Sequence, residues 1–312
     1  MIRIATRRSP LAIAQAEIVG AALAAAHAGL SFALVRLETA GDVQLSGPLF
    51  AAGGKGLFVK EIQAALLDGR ADLAVHSAKD YPQENPPALR IAAVPARMSD
   101  ADLLVTREGA ALADLPPGAR VGSSSLRRAG QLRALRGDLR LVNLRGNVGS
   151  RLAKLLAGEC DAIVLAAAGL QRLGLTDWLA RAVALPIVPS AGQGALIIEC
   201  RSDDASARTL ARKLSDDGAQ REVTAERAFV AALGGDCATP LGARARAQTA
   251  DPGWSSFTGL LVSPDGALLL RVDLATDELA LPPISAGTRL AERLLGDPRA
   301  RPLLQRAPPQ ML

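Results

Sequence analysis

The sequence predicts an α/β protein: two lobes built on parallel sheets, followed by a smaller α+β domain at the C-terminal end. Strand-like and helix-like segments alternate through the first two thirds of the chain, which is the pattern of βαβ units. A ten-residue stretch also recurs, since Leu66-Leu67-Asp68-Gly69-Arg70-Ala71-Asp72-Leu73-Ala74-Val75 is echoed by Leu155-Leu156-Ala157-Gly158-Glu159-Cys160-Asp161-Ala162-Ile163-Val164. From Glu222 onward the alternation gives way to a helix and a hairpin. At 312 residues the chain exceeds one small core, so two or three domains are expected.

Ile2 to Ala5 reads as a strand, and Ser9-Pro10 opens a helix to about Ala26 with proline in its first turn. Ser31 to Glu38 is a second strand. Phe58 to Leu67 is a helix closed by Asp68-Gly69, and Asp72 to His76 is a buried strand. Arg120-Val121 ends a strand, and Ser123-Ser124-Ser125 caps a helix to about Arg136. Leu139 to Leu144 is a strand, Val148 to Ala157 a helix stopped by Gly158, and Asp161 to Leu165 a strand. The third domain holds a helix from Val223 to Leu233, then strands over 257–262 and 268–274 joined by the turn Ser263-Pro264-Asp265-Gly266. A last helix covers 286–295. Joints near Met98, Leu185 to Gln193 and Ser215 to Gln220 divide the chain. Lobe 1 takes 1–97 with 191–215, lobe 2 takes 98–190, and the third domain takes 216–312.

Hydrophobic residues make up 49% and charged residues 21%, the composition of a folded soluble chain. There is no apolar run of about 18 residues, so no membrane span is expected. The N-terminus enters a strand pattern at once, unlike a signal peptide, and the cysteine usage predicts a cytoplasmic, reducing location. Three cysteines without a CxxC pair and only two histidines predict neither a disulfide framework nor a metal site. Net charge is +5, and seven arginines fall between Arg127 and Arg151. They read either as solvated helix faces or as a site for phosphate or carboxylate.

Four constellations can carry chemistry. Cys160 and Cys200 sit in apolar strand-like runs and read as small buried hydrophobes. Cys237 instead follows Gly234-Gly235-Asp236, where either a buried thiol or an accessible one for covalent attachment fits. His76-Ser77-Ala78-Lys79-Asp80 ends a buried strand. Asp80 there is a general acid or a stabiliser of a developing cation, or else a turn residue paired with Lys79. The matching strand end carries Ala168-Gly169, so Lys79 and Asp80 are not a folding requirement of the repeat. Gly122-Ser123-Ser124-Ser125-Leu126-Arg127-Arg128 sets hydroxyls, amides and guanidiniums at a helix start, an anion site. Asn143-Leu144-Arg145-Gly146-Asn147-Val148-Gly149-Ser150-Arg151 repeats that arrangement at the next strand end. The pattern GxxxxGK[ST] is absent, which argues against a nucleotide triphosphatase.

These stretches, in this order, resemble the hydroxymethylbilane synthase family. The likeness also rests on Arg3 to Ala12, on Gly53-Gly54-Lys55-Gly56-Leu57-Phe58-Val59-Lys60-Glu61 and on Gly192-Gln193-Gly194-Ala195. It implies two periplasmic-binding-protein-like lobes with mixed, mainly parallel sheets, facing a cleft. It implies a transferase that condenses four porphobilinogen molecules head to tail, with loss of ammonia, and then releases a linear tetrapyrrole by hydrolysis. The primer would be a dipyrromethane cofactor held as a thioether on Cys237. Asp80 would be the catalytic residue, stabilising the cation left when the amine departs. Arg7, Ser9, Lys55, Lys79, Ser123, Ser125, Arg127, Arg128, Arg145, Arg151, Arg172 and Gln193 would hold cofactor or substrate carboxylates. A cytoplasmic monomer without a metal, nucleic acid or membrane partner is implied.

The sequence departs from the family pattern at a few positions. Tyr81 stands where an aliphatic residue is usual, Ser123 for a threonine, Ala40 for an arginine and Asp236 for a glycine. Two rival readings are an anion-binding two-lobed module, which has no use for Asp80 or Cys237, and a nucleic-acid binder, which would interleave aromatics among the arginines.

Overall fold

The computed structural model describes residues 1–38, 59–235, 239–248 and 253–305. Strand β1 (Ile2–Arg7) leads into helix α1 (Pro10–Ala26) and strand β2 (Phe32–Leu37). Next come α2 (Lys60–Leu67), β3 (Leu73–Ser77), β4 (Leu89–Ala93), β5 (Asp102–Val105) and β6 (Arg120–Gly122). They are followed by α3 (Leu126–Leu135), β7 (Arg140–Val142), α4 (Val148–Leu156), β8 (Ala162–Ala166), α5 (Ala167–Arg172) and α6 (Thr176–Arg181). After β9 (Val183–Ala184) and β10 (Leu196–Arg201) lie α7 (Ala205–Arg212) and α8 (Asp217–Ala232). The last elements are β11 (Leu241–Ala247), β12 (Trp254–Val262), β13 (Leu269–Asp273), α9 (Pro283–Leu295) and α10 (Ala300–Gln305).

The chain divides into two compact units, 1–98 with 194–220 and 99–193 with 221–312. Each holds a five-stranded sheet, ordered β2-β1-β3-β10-β4 in the first and β7-β6-β8-β5-β9 in the second. In the first, β1 runs parallel to β2 and β3, while β10 runs antiparallel to β3 and β4. In the second, β6 runs parallel to β7 and β8, while β5 runs antiparallel to β8 and β9. The antiparallel strands share a cause: β10 and β5 are each the first strand after the chain passes from one unit to the other. Neither is joined to its neighbour by the helical crossover that parallel pairing needs. The fold class is α/β, with mixed sheets.

The sequence echo is visible as structure. Gly69 and Gly158 end their helices at φ +67° and +75°, a conformation that favours glycine. Asp72 accepts the backbone N–H of Arg3 at 2.8 Å, and Asp161 accepts that of Arg120 at 2.8 Å. Both carboxylates also hold the guanidinium of the same arginine. The repeated aspartate therefore clamps the adjacent parallel strand.

Helices cover both faces of each large sheet. In the first unit Ile4, Leu23, Leu73 and Ile198 fill one side, and Ala5, Ile62, Leu66 and Ala74 the other. In the second, Leu104, Val121, Leu132 and Val164 oppose Val105, Leu155, Ile163 and Leu170. A third core in the second unit packs Phe229, Leu290 and Leu294 onto Trp254, Phe257 and Leu261 of the sheet β11-β12-β13. That small sheet meets α3 closely: a Cβ on Gly130 would lie 2.4 Å from the Ser263 carbonyl oxygen. Arg133 also donates to the Pro264 carbonyl at 2.7 Å. Helix α8 begins at Asp217 rather than Val223, because Asp216 accepts the Ala219 N–H and caps an earlier turn. Cys160 and Cys200 are buried. Among the described residues, no helix is long and apolar enough to cross a membrane.

Candidate functional site

In the first unit the chemistry gathers where β1 and β3, parallel neighbours, reach their carboxyl ends. Ligands of open α/β sheets bind at such edges. Arg7 is the last residue of β1 and is half-buried. Ser9 caps α1, its hydroxyl accepting the Ala12 N–H at 3.3 Å. Beyond β3 the chain makes one 3-10 turn, Ala78–Asp80, and then extends at Tyr81, since Pro82 disfavours helix there. This turn leaves Asp80 exposed and Lys79 half-buried. Its start is fixed by the Ala78 N–H, which donates to the Ala195 carbonyl at 3.1 Å. In the second unit the equivalent contact is made by Ala167, on the Ala101 carbonyl at 3.0 Å, and the chain continues as α5. The two strand ends are thus built alike, and only one presents a carboxylate.

In the second unit the carboxyl ends of β7, β6 and β8 lie side by side. Ser125 caps α3 by accepting the Arg128 N–H at 3.4 Å, and buried Ser123 accepts the Ser125 N–H at 3.2 Å. Asn147 caps α4 by accepting the Ser150 N–H at 2.9 Å. The turn before it needs Gly146, whose φ is +118° and whose added Cβ would meet Ser150 Oγ at 2.2 Å. Half-buried Arg145 and Arg151 flank that helix start, and Arg172 ends α5. Burial pulls Arg172 down to about 10, a cost that an anion beside the guanidinium would relieve.

Three of the expected ligand-holding side chains are turned inward. Arg128 Nε and Nη2 donate to Asp102 Oδ1 at 3.0 and 2.6 Å, and Arg127 Nη1 lies 2.8 Å from Asp102 Oδ2. Gln193 Nε2 donates to the same Asp102 oxygen at 2.9 Å and to the Asp100 carbonyl at 2.7 Å. Burial opposes charge on Asp102, yet Arg127 and Arg128 hold its carboxyl far below the ordinary range. Burial likewise lowers Arg127, against the pull of Asp102. Arg127, Arg128 and Gln193 therefore build the floor beneath the helix start and engage a carboxylate of the protein itself.

Lys55 and Cys237 lie outside the described residues, as do the Gly53–Gly56 loop and Ala40. Sequence reasoning missed four buried or nearly buried acids that organise these edges: Asp100, Asp102, Glu199 and Glu226. Asp100 holds Arg246 at 2.6 Å, and Glu226 accepts the Gly192 and Ala245 N–H groups at 2.6 and 2.9 Å. A signal was present: Asp102 and Glu199 each interrupt or open a strand of otherwise apolar residues, where an acid must find partners.

Comparison with known proteins bears on the same stretches. Residues 2–209 match a family described as porphobilinogen deaminase, dipyromethane cofactor binding domain, and 220–296 match porphobilinogen deaminase, C-terminal domain. A porphobilinogen deaminase of Roseiflexus sp. (strain RS-1) is 47% identical over 302 residues, covering 96% of this chain and 97% of that one. One from Sorangium cellulosum (strain So ce56) is 49% identical over 300 residues, covering 95% and 96%. Among solved structures, the methionine binding protein MetQ aligns with 72% of this chain and 93% of its own, at 14% identity and a TM-score of 0.45.

Proposed function

This chain belongs to the porphobilinogen deaminase family, and from that premise we propose that Asp80 is its catalytic residue and Cys237 the attachment point of its cofactor. The enzyme is a hydroxymethylbilane synthase, a transferase of tetrapyrrole synthesis that joins porphobilinogen units with loss of ammonia. It uses a dipyrromethane cofactor.

The donor set fits that group. A dipyrromethane made from substrate carries acetate and propionate arms. The second unit offers Arg145, Arg151 and Arg172 with the Ser125 helix start on one sheet edge. When bound, the cofactor supplies the primer pyrrole onto which the chain is built. Arg172, lowered by burial, is stabilised in its charged form by a carboxylate neighbour. Ser123 fixes the helix start by accepting the Ser125 N–H, and Arg127, Arg128 and Gln193 act from underneath through Asp102. Lys55 is assigned to cofactor or substrate carboxylates by the family resemblance of its stretch.

In the first unit Arg7, Ser9 and Lys79 orient the substrate's carboxylates, and Asp80 faces the ring that loses its amine. A pyrrole bearing an aminomethyl group expels ammonia as positive charge spreads into the ring. A carboxylate beside the ring N–H stabilises that charge. The observation that carries this reading is the unequal repeat: two strand ends with the same backbone anchor, one of which alone ends in Lys79-Asp80. A cytoplasmic monomer with the three-part division 1–97 with 191–215, 98–190 and 216–312 completes the proposal.

Asp80→Ala is expected to lose nearly all turnover, a fall of roughly 100-fold or more. Its intact mass should keep an adduct of two linked pyrroles that peptide mapping locates on Cys237. Wild-type turnover in Asp80→Ala would overturn the catalytic assignment. An unmodified Cys237 in active enzyme would overturn the attachment site.

A further inference from the structure

Beneath the Asp80 turn lies a carboxylate the reaction does not use. Glu199, on β10, is wholly buried. Its Oε1 accepts the Tyr81 hydroxyl at 2.6 Å and Gln63 Nε2 at 2.9 Å, and its Oε2 accepts His76 Nε2 at 3.0 Å. The donors come from three places: Gln63 from α2, His76 from β3, and Tyr81 from the residue directly after Asp80. The Tyr81 ring also packs on His76, with centroids 5.2 Å apart. Gln63 extends the network by donating to Asn85 at 3.0 Å, and Asn85 donates to the Pro82 carbonyl at 3.3 Å. On the other side of Asp80, Gln15 donates to the Ser77 hydroxyl at 2.8 Å.

A buried carboxylate is costly to desolvate, so it persists only where its bonds matter. Folding of the sheet does not require this one. Glu199 pairs with Ala74 of β3, and the echo aligns Ala74 with Ile163 of β8, whose partner is the buried aliphatic Val105. The same sheet position is thus closed by an apolar residue in the unit that presents no carboxylate.

We propose that Glu199, through Tyr81, His76 and Gln63, is a positioning unit that fixes the orientation of Asp80 at the reacting ring. This rests on the reading of Asp80 as catalytic. Tyr81 is the connection nearest to Asp80: its hydroxyl ties the residue immediately after Asp80 to Glu199 on β10. Without it, the backbone directly after Asp80 loses its side-chain tie to β10, and Asp80 samples orientations that do not meet the ring. Misplacement by about an ångström is enough to lower turnover by up to 100-fold without weakening binding.

The test is a kinetic cycle on the cofactor-loaded enzyme, using Tyr81→Phe, Asp80→Glu and the double variant. Tyr81→Phe keeps the ring and removes one hydroxyl. It is expected to lower kcat about 5- to 20-fold with KM for porphobilinogen within about two-fold. In the Asp80→Glu background the same change should cost less than about two-fold, because a displaced carboxylate no longer depends on the hydroxyl. Gln63→Leu removes a second donor and should show the same split between kcat and KM. Unchanged kcat in both Tyr81→Phe and Gln63→Leu, or equal losses from Tyr81→Phe in both backgrounds, would overturn the positioning unit and leave the Asp80 assignment standing. Full activity in Asp80→Glu and Asp80→Ala together would overturn both.

Discussion

Asp102 concentrates the electrostatics of the second unit, because one buried carboxylate faces two buried guanidiniums and an amide. Replacing it with asparagine leaves Arg127 and Arg128 inside the protein with no counter-charge. A stability loss of about 3–5 kcal/mol is expected, read as a lower denaturant midpoint. The pH dependence has a definite sign. Asp102 titrates far below its unfolded value near 4, so its contribution is complete above about pH 4 and is lost progressively as pH falls below that. Between about pH 4 and 2, the wild type should therefore lose stability more steeply than Asp102→Asn. Parallel slopes in that range would show that the triad is not what acid attacks. The motif Ser123-Ser124-Ser125-Leu126-Arg127-Arg128 announced a helix start with cations, and both are there. It could not announce the partner, which lies on a different strand and is brought near only by the sheet order β6-β8-β5.

Helix starts do the work of presentation at the next scale. The turn from β7 into α4 is set by Gly146, at a φ that side chains rarely adopt and with Ser150 Oγ where a Cβ would go. Gly146→Ala is expected to cost about 1–3 kcal/mol. By shifting Arg145 against the Asn147 cap, it should also raise KM for porphobilinogen more than it lowers kcat. A variant with wild-type stability and KM would show that the turn tolerates a side chain and that Arg145 is not held by it. Strands joined by helices could be read from the sequence because periodicity and stop signals are local: Gly69 and Gly158 mark the same helix end twice. The strands β5 and β10 could not be placed that way. Their neighbours are fixed by pairing with β8 and β3 across long sequence separations, and their acids, Asp102 and Glu199, interrupt the apolar pattern that would mark them. Ser9 was legible as a helix cap and Asp80 as an acid at a strand end, whereas Arg7 entered only through the family resemblance, since the strand read from the residues stopped at Ala5.

Across the whole molecule, the cluster of seven arginines in the sequence is not a cluster of seven surface charges. Arg127 and Arg128 are buried and share the one carboxylate of Asp102, Arg133 donates to the Pro264 carbonyl, and Arg136 pairs with Asp138. Arg3, Arg120, Arg201 and Arg246 are likewise matched to Asp72, Asp161, Asp204 and Asp100. Each pairing uses an acid as well as a base and leaves the net charge at +5, and under the proposed function a carboxylate-bearing substrate meets edge cations that include Arg7, Lys79, Arg145, Arg151 and Arg172. These are half-buried, so salt screens them in part. Raising ionic strength from about 0.1 M to about 1 M shortens the screening length from about 10 Å to about 3 Å. KM for porphobilinogen should then rise several-fold while kcat changes by less than about two-fold, because binding draws on partly exposed cations and the chemical step on one local carboxylate. A KM that stays constant over this range would mean that the carboxylates are held in contacts too buried to be screened. A falling kcat with constant KM would move the salt-sensitive charge from the binding edge to the Asp80 turn.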